Sequence, residues 1–221
     1  RSASRRLFSE EELEKLERLD FDQLIEEFQK RLSEQIAKGE VPETVLLLEH
    51  NNVYTLGRRG KVEDVLLPAA ELNSMGIELH QIDRGGEVTY HGPGQIVAYF
   101  LINLRRKGWG PKRFVNELES SVMDFLKDYG VSSKRQQGNP GVYIRNRKIC
   151  SVGLKIKRGY SYHGLSINID MDLSPFESIN VCGKESLKVT HLNEFADGPI
   201  DKAFEDFDKI VRTIFEGGVD P

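Results

Sequence analysis

Nucleophilic chemistry by a cysteine needs the thiol to meet a base or a cation. The sequence offers Cys182 in INVCGKES and Lys148 in RNRKICSVG. A thiol attacks only as its thiolate, and with an ordinary pKa near about 8.5 it needs a base or a cation beside it to react at neutral pH. Lys148 enters an apolar run, where desolvation disfavours the ammonium and lets the amine take up a proton. The competing readings are a buried inert cysteine and a surface lysine just after a turn, and spacing alone does not bring the two together. Alternate residues of a strand share a face, so Lys148 and Cys150 are expected on the same side, which makes Cys150 a second candidate thiol. A third locus is RGGEVTYHGPGQ, running from Arg84 to Gln95, with four glycines. Glycines allow positive φ and let a ligand approach bare amides, although an ordinary tight loop has the same composition. His91 within it is either a hydrogen-bonded structural histidine or a proton carrier.

These residues must be positioned by helices and strands whose periods are visible. Ser9 before three glutamates reads as a capped helix start, and Leu24, Phe28, Leu32 and Ile36 recur at helical spacing up to Gly39. Short apolar runs at 45–50, 53–57, 77–83 and 95–104 read as strands. Phe114, Leu118, Val122, Leu126 and Tyr129 mark a helix behind Pro111 that is expected to cover the sheet. GVYI, KICSVGLKI and LSINI follow with connections too short for parallel crossovers, so they are expected to be antiparallel. A last helix carries Phe204, Phe207, Ile210 and Ile214. The expectation is an α+β fold, a single domain over 1–221 with 1–19 a variable extension, and a mixed, largely antiparallel sheet flanked by helices.

Composition narrows the class. With 38% apolar and 30% charged residues and a net charge of −4, the chain reads as a soluble globular protein with no global attraction to nucleic acid or membrane. Two cysteines are too few for a disulfide scaffold and lack the clustering of a zinc site, which favours a reducing compartment.

The segments LEHNNVYTLGRRG (48–60), RGGEVTYHGPGQIVAY (84–99), NPGVYI followed by KICSVGLKIKRGYSYHGLSINIDMDLSPFESI (together 139–179) and the Cys-Gly pair at 182 and 183 resemble, in this order, the octanoyltransferase family of lipoate synthesis. The resemblance implies the fold shared with biotin and lipoate protein ligases. It implies a ping-pong transfer of an octanoyl group from octanoyl-acyl carrier protein to a lysine of lipoyl domains, those of 2-oxoacid dehydrogenases and the glycine cleavage H protein. The acyl-accepting thiol falls on Cys182 and its paired acid/base on Lys148. Substrate binding falls on Arg84, Gly85, Gly86, Glu87, Val88, Thr89, Tyr90 and His91, on Ser151, Val152 and Gly153, and on Gly164, Leu165 and Ser166. No cofactor, metal, nucleic acid or membrane is implied, and the compartment would be bacterial cytoplasm, or an organellar matrix if a transit peptide has been removed.

Three positions depart from the family pattern: Val181 replaces the usual proline before the thiol, LEHNN lacks the usual double proline, and Cys150 stands where alanine is usual. Two other functions stay open, an ATP-dependent lipoate or biotin ligase and a non-catalytic binding module for the carrier protein or lipoyl domain. Acyl carrier proteins are acidic, and of the basic stretches at 105–107, 112–113 and 155–158, the group Lys155, Lys157 and Arg158 is expected to dock them near the pocket mouth.

Overall fold

A computed structural model describes residues 28–180 and 188–215. The helix start at Ser9 and residue Leu24 lie outside these. Helix α1 spans Gln29–Lys38, as the spacing of Phe28, Leu32 and Ile36 requires. Strands β1 (Thr44–Leu48), β2 (Val53–Leu56), β3 (Glu78–Gln81), β4 (Val88–His91) and β5 (Gln95–Leu101) follow, with helix α2 (Ala69–Ser74) between β2 and β3. Helix α3 (Pro111–Asp128) opens with proline in its first turn, where the missing N–H costs nothing. Then come β6 (Lys134–Gln136), β7 (Asn139–Ile144), β8 (Arg147–Lys157), β9 (Tyr160–Asn168) and helix α4 (Ala203–Phe215).

Two sheets form rather than one. The larger is six-stranded and antiparallel throughout, in the order β1-β5-β9-β8-β7-β6. The smaller has the order β3-β2-β4, with β2 parallel to β3 across the α2 crossover and antiparallel to β4. Strand β4 lies inside the glycine-rich stretch, which is therefore a short loop followed by a strand. β4, β6 and α2 lack a long apolar period, and no strand or helix was expected at them.

Strand β5 shows why its run of apolar residues is nearly unbroken: both of its faces are covered. Ile96, Ala98 and Phe100 join Phe114, Leu118, Phe207 and Val211 in the core beneath α3 and α4. Val97, Tyr99 and Leu101 point the other way, toward Leu32 and Ile36 of α1. A third cluster, with Tyr54, Leu56, Val88, Tyr90 and Phe176, fills the small sheet. No helix of the described residues is long and apolar enough to cross a membrane.

Candidate active site

A cavity of about 250 Å³ lies between the 84–89 loop and the face of β5, β8 and β9 that α1 partly covers. Lys148 lines it, together with Arg84, Gly85, Gly86, Glu87, Val88, Thr89 and His91, and with Ser151, Val152, Gly153, Gly164, Leu165 and Ser166. Strand register brings the last six together, since Ser151 faces Ser166 and Gly153 faces Gly164 across β8 and β9. Tyr90 is turned away: its ring packs on Phe176 and Tyr54, and its hydroxyl donates to Asn52 Oδ1 at 2.8 Å. In β4, alternate side chains serve the cavity and the small core. Cys182 lies outside the described residues.

Arg84 acts as a clamp on the loop. Its buried guanidinium donates to Thr55 O (2.7 Å), Thr55 Oγ1 (2.9 Å), Gly85 O (3.0 Å) and Glu87 O (2.8 Å). Main-chain bonds from Gly57 to Glu87 O, Arg58 to Arg84 O and Arg59 to Gly86 O stitch the same loop to the end of β2. The glycines here are needed because space is short; a Cβ on Gly57 would stand 2.5 Å from Gly86 O. At the outer rim, Glu87 accepts from Arg59 Nε at 2.8 Å, and that hydrogen bond, with lesser help from the Arg59 and Lys148 charges, holds the Glu87 carboxyl below its usual range.

Lys148 is only 4% exposed, and its amine lies 5.7 Å from the centre of the Tyr143 ring. Its stem crosses a gap left by Gly141, whose φ is +135 and where a Cβ would come within 2.7 Å of Lys148 Cε. The Gly141 amide donates to buried Glu119 of α3 at 2.8 Å, and Glu119 in turn accepts from Arg135 at 2.9 Å. Beside this gap the β7–β8 register slips: Val142 faces Cys150, but Tyr143 faces Lys148, so Ile149 is an extra residue. A bulge of this kind breaks the two-residue alternation. Ile149 and Cys150 both enter the core beneath α3, while Lys148 faces the cavity. The expectation that Lys148 and Cys150 share a pocket is therefore corrected. Burial pushes the Cys150 thiol up to about 12, against a smaller opposing effect of the Lys148 charge, so at neutral pH it is an inert thiol.

A buried chain of hydrogen bonds joins His91 to the backbone of Lys148. His91 Nδ1 donates to Gln95 Oε1 (2.7 Å), Gln95 Nε2 to Asn168 Oδ1 (2.8 Å), Asn168 Nδ2 to Thr190 O (2.9 Å), and Thr190 N to Lys148 O (3.0 Å). Burial lowers the His91 pKa to about 4, so the ring is neutral at pH 7 with Nε2 as its acceptor. His50, 5.7 Å from His91 between ring centres, is likewise lowered to about 3 by burial and shares a 2.5 Å hydrogen bond with the Tyr99 hydroxyl. On the same cavity wall, His163 Nε2 lies 2.9 Å from Asp83 Oδ1. Thr89 differs from all of these. Its hydroxyl is buried and has no hydrogen-bond partner among the described residues. Leaving a buried hydroxyl unpaired costs about 1–3 kcal/mol.

Sequence reasoning missed Asp83, Tyr99, His163 and Glu119. Tyr99 reads as one more apolar strand residue, and nothing local marks Glu119, on the inner face of α3, as buried. The basic group at 155–158 is not beside Lys148. Lys155 is ion-paired with Asp83 at 3.7 Å. Exposed Lys157 and Arg158 stand at the other end of β8, roughly 30 Å from Lys148 by strand rise. The exposed residues that line the cavity are Arg59, Gly138 and Pro140.

Residues 26–216 match the Lipoyl protein ligase A/B catalytic domain family. The chain is 49% identical over 164 residues to an octanoyltransferase of Vibrio vulnificus strain YJ016, covering 74% of this chain and 72% of that one. It is 44% identical over 183 residues to an octanoyltransferase of Dechloromonas aromatica, covering 83% and 85%. Among solved structures it is similar to a lipoate-protein ligase A bound with ATP, with TM-score 0.67, 14% identity and 86% and 81% of the two chains covered. A bi-partite lipoate protein ligase from Thermoplasma acidophilum gives TM-score 0.66 at 14% identity, covering 86% and 79%. At such identities the likeness is one of fold alone.

Proposed function

The chain belongs to the octanoyltransferase family of lipoyl protein ligase A/B catalytic domains, and on that premise we propose that it moves an octanoyl group from acyl carrier protein to a lysine amine of a lipoyl domain. The observation that carries this reading is Lys148: a lysine only 4% exposed, lining a cavity walled by a clamped glycine-rich loop.

The chemistry runs in two halves. The Lys148 amine takes the Cys182 proton, and the thiolate adds to the thioester carbonyl of the donor. When the adduct collapses, the carbon–sulfur bond to the carrier breaks, and its thiolate leaves with the proton held by Lys148. The acceptor lysine enters as an ammonium, loses one proton to solvent and attacks the new thioester. Collapse releases Cys182 as a thiolate, and the second amine proton returns to it through Lys148. The donor is already activated, so no nucleotide enters the scheme.

The test is mass spectrometry of the protein mixed with octanoyl-acyl carrier protein. The expected result is one added octanoyl mass, absent in Cys182→Ala and discharged by a lipoyl domain. An ATP-dependent ligase would instead require free octanoate and ATP, and a binding module would gain no covalent mass.

A further inference from the structure

We propose that Tyr99 sets the acyl-chain length this site accepts: its ring closes the inner end of the cavity, where the terminal methyl of an eight-carbon chain stops. The inference rests on the octanoyl-transfer reading above and adds a specificity-determining residue to it. The cavity crosses the large sheet rather than following one strand. Exposed Gly138 and Pro140 line it at the β7 side, whereas Val97 and Tyr99 of β5, with Ile82 and His163 beside them, are at most 5% exposed. It has a mouth on one side and a closed end on the other.

Strand register shows what a chain meets on its way in. From β8 through β9 to β5, one row runs Gly153, Gly164, Tyr99, and the next runs Ser151, Ser166, Val97. Two glycines leave the floor of the first row bare, so Tyr99 is the first large side chain along it. Behind it the row continues to Leu46 of β1, which is buried in one cluster with Leu32 and Ile36 of α1. The ring is held from both sides: its hydroxyl is hydrogen-bonded to His50 Nε2 at 2.5 Å, and the His163 ring stands edge-on to it at 6.4 Å between centres. Lengths agree with this end point. Neighbouring strands lie about 4.8 Å apart, so β8, which carries Lys148, is about 10 Å from β5 across β9. An extended octanoyl chain, with seven carbon–carbon bonds of about 1.5 Å in zigzag, spans about 9 Å. Two more methylenes add about 2.5 Å and drive the methyl into the Tyr99 ring.

The experiment follows acyl-enzyme formation by the full chain from N-acetylcysteamine thioesters of six, eight, ten and twelve carbons, using mass spectrometry, with thermal melting as the check on folding. The parent should prefer eight carbons to ten by about tenfold or more in kcat/KM, as a filled apolar pocket discriminates against added methylenes. Tyr99→Leu shortens the end wall and should raise the ratio of ten-carbon to eight-carbon acylation by about tenfold or more. Tyr99→Phe keeps the ring and should keep the parent's order of chains. Val97→Leu adds bulk at the same end and should shift the preference toward six carbons; it decides the matter if Tyr99→Leu does not fold. The assignment is overturned by a parent that takes twelve carbons as readily as eight, by an unchanged order in a folded Tyr99→Leu, or by a Tyr99→Phe that accepts ten carbons as the Leu variant does. An unchanged order in Val97→Leu, where that variant alone folds, overturns it as well. If the parent gains no acyl mass from any donor, the octanoyl-transfer reading itself fails; if it is acylated and substitution leaves the chain order untouched, that reading stands and only the role of Tyr99 falls.

Discussion

The Asp83 carboxylate accepts a hydrogen bond from His163 Nε2 at 2.9 Å, and its other oxygen accepts one from the Tyr162 hydroxyl, also at 2.9 Å. Consecutive residues of a strand ordinarily face opposite ways. Here both reach one carboxylate because His163 has φ +59, a left-handed conformation that is uncommon for a residue other than glycine and costs energy. The strained residue is held in place by its partners and lines the cavity.

The Asp83 carboxyl is held well below the usual carboxylate range, chiefly by the His163 hydrogen bond, with the Tyr162 bond and the charges of His163 and Lys155 adding and burial opposing. A depressed carboxylate stabilises the fold above its unfolded value of about 3.9, and that contribution fades as pH falls toward the folded value. The melting temperature of the parent should exceed that of Asp83→Asn by a constant margin above about pH 5, and the margin should narrow below about pH 4. Thermal melts across this range check it; a margin that ignores pH would show that charge is not its source.

Arg84→Lys keeps a positive charge but cannot reproduce a planar fork that reaches Thr55, Gly85 and Glu87 together. The buried carbonyls left without donors should lower stability by about 2–4 kcal/mol. The looser loop should also raise KM for a small octanoyl thioester. Urea unfolding and steady-state kinetics measure the two effects; equal stability in both proteins would count against the clamp.

Cys150 should be a bystander. Its thiol, at about 12 through burial, should resist alkylation in the native protein, and Cys150→Ala should form the octanoyl adduct at the parent rate. A thiol raised by folding weakens the fold as pH climbs above its unfolded value of about 8.5, so Cys150→Ala should also lose less stability in alkali. Peptide mapping of the adduct decides the first point, since an octanoyl group on Cys150 would reverse the assignment.

If Lys148 works by taking up a proton, Lys148→Arg should lose rate even though charge is kept, because a guanidinium is not a base near neutrality. A fall of about a hundredfold is expected in acylation at pH 7. Turnover near the parent level would mean that only a cation is needed beside the thiol.

Much of this molecule is legible in its sequence because helical and strand periods are local properties. Spacing alone located α1, α3, α4 and the described strands apart from β4, inside the glycine-rich stretch, and β6, whose three residues carry no period. The residues with the chemistry to act, Lys148, His91 and the 84–89 loop, also stand out by type. What sequence could not decide depends on long-range pairing. The slip between β7 and β8 separates Cys150 from Lys148, although alternation places them together. The β8–β9 register joins Ser151 to Ser166 in one wall. Backbone packing makes Arg84 a clamp on its own loop, and leaves the Thr89 hydroxyl buried with no partner among the described residues. Side-chain type sets which reactions a residue can perform, but the direction it faces and the company it keeps are fixed only when distant strands find their register.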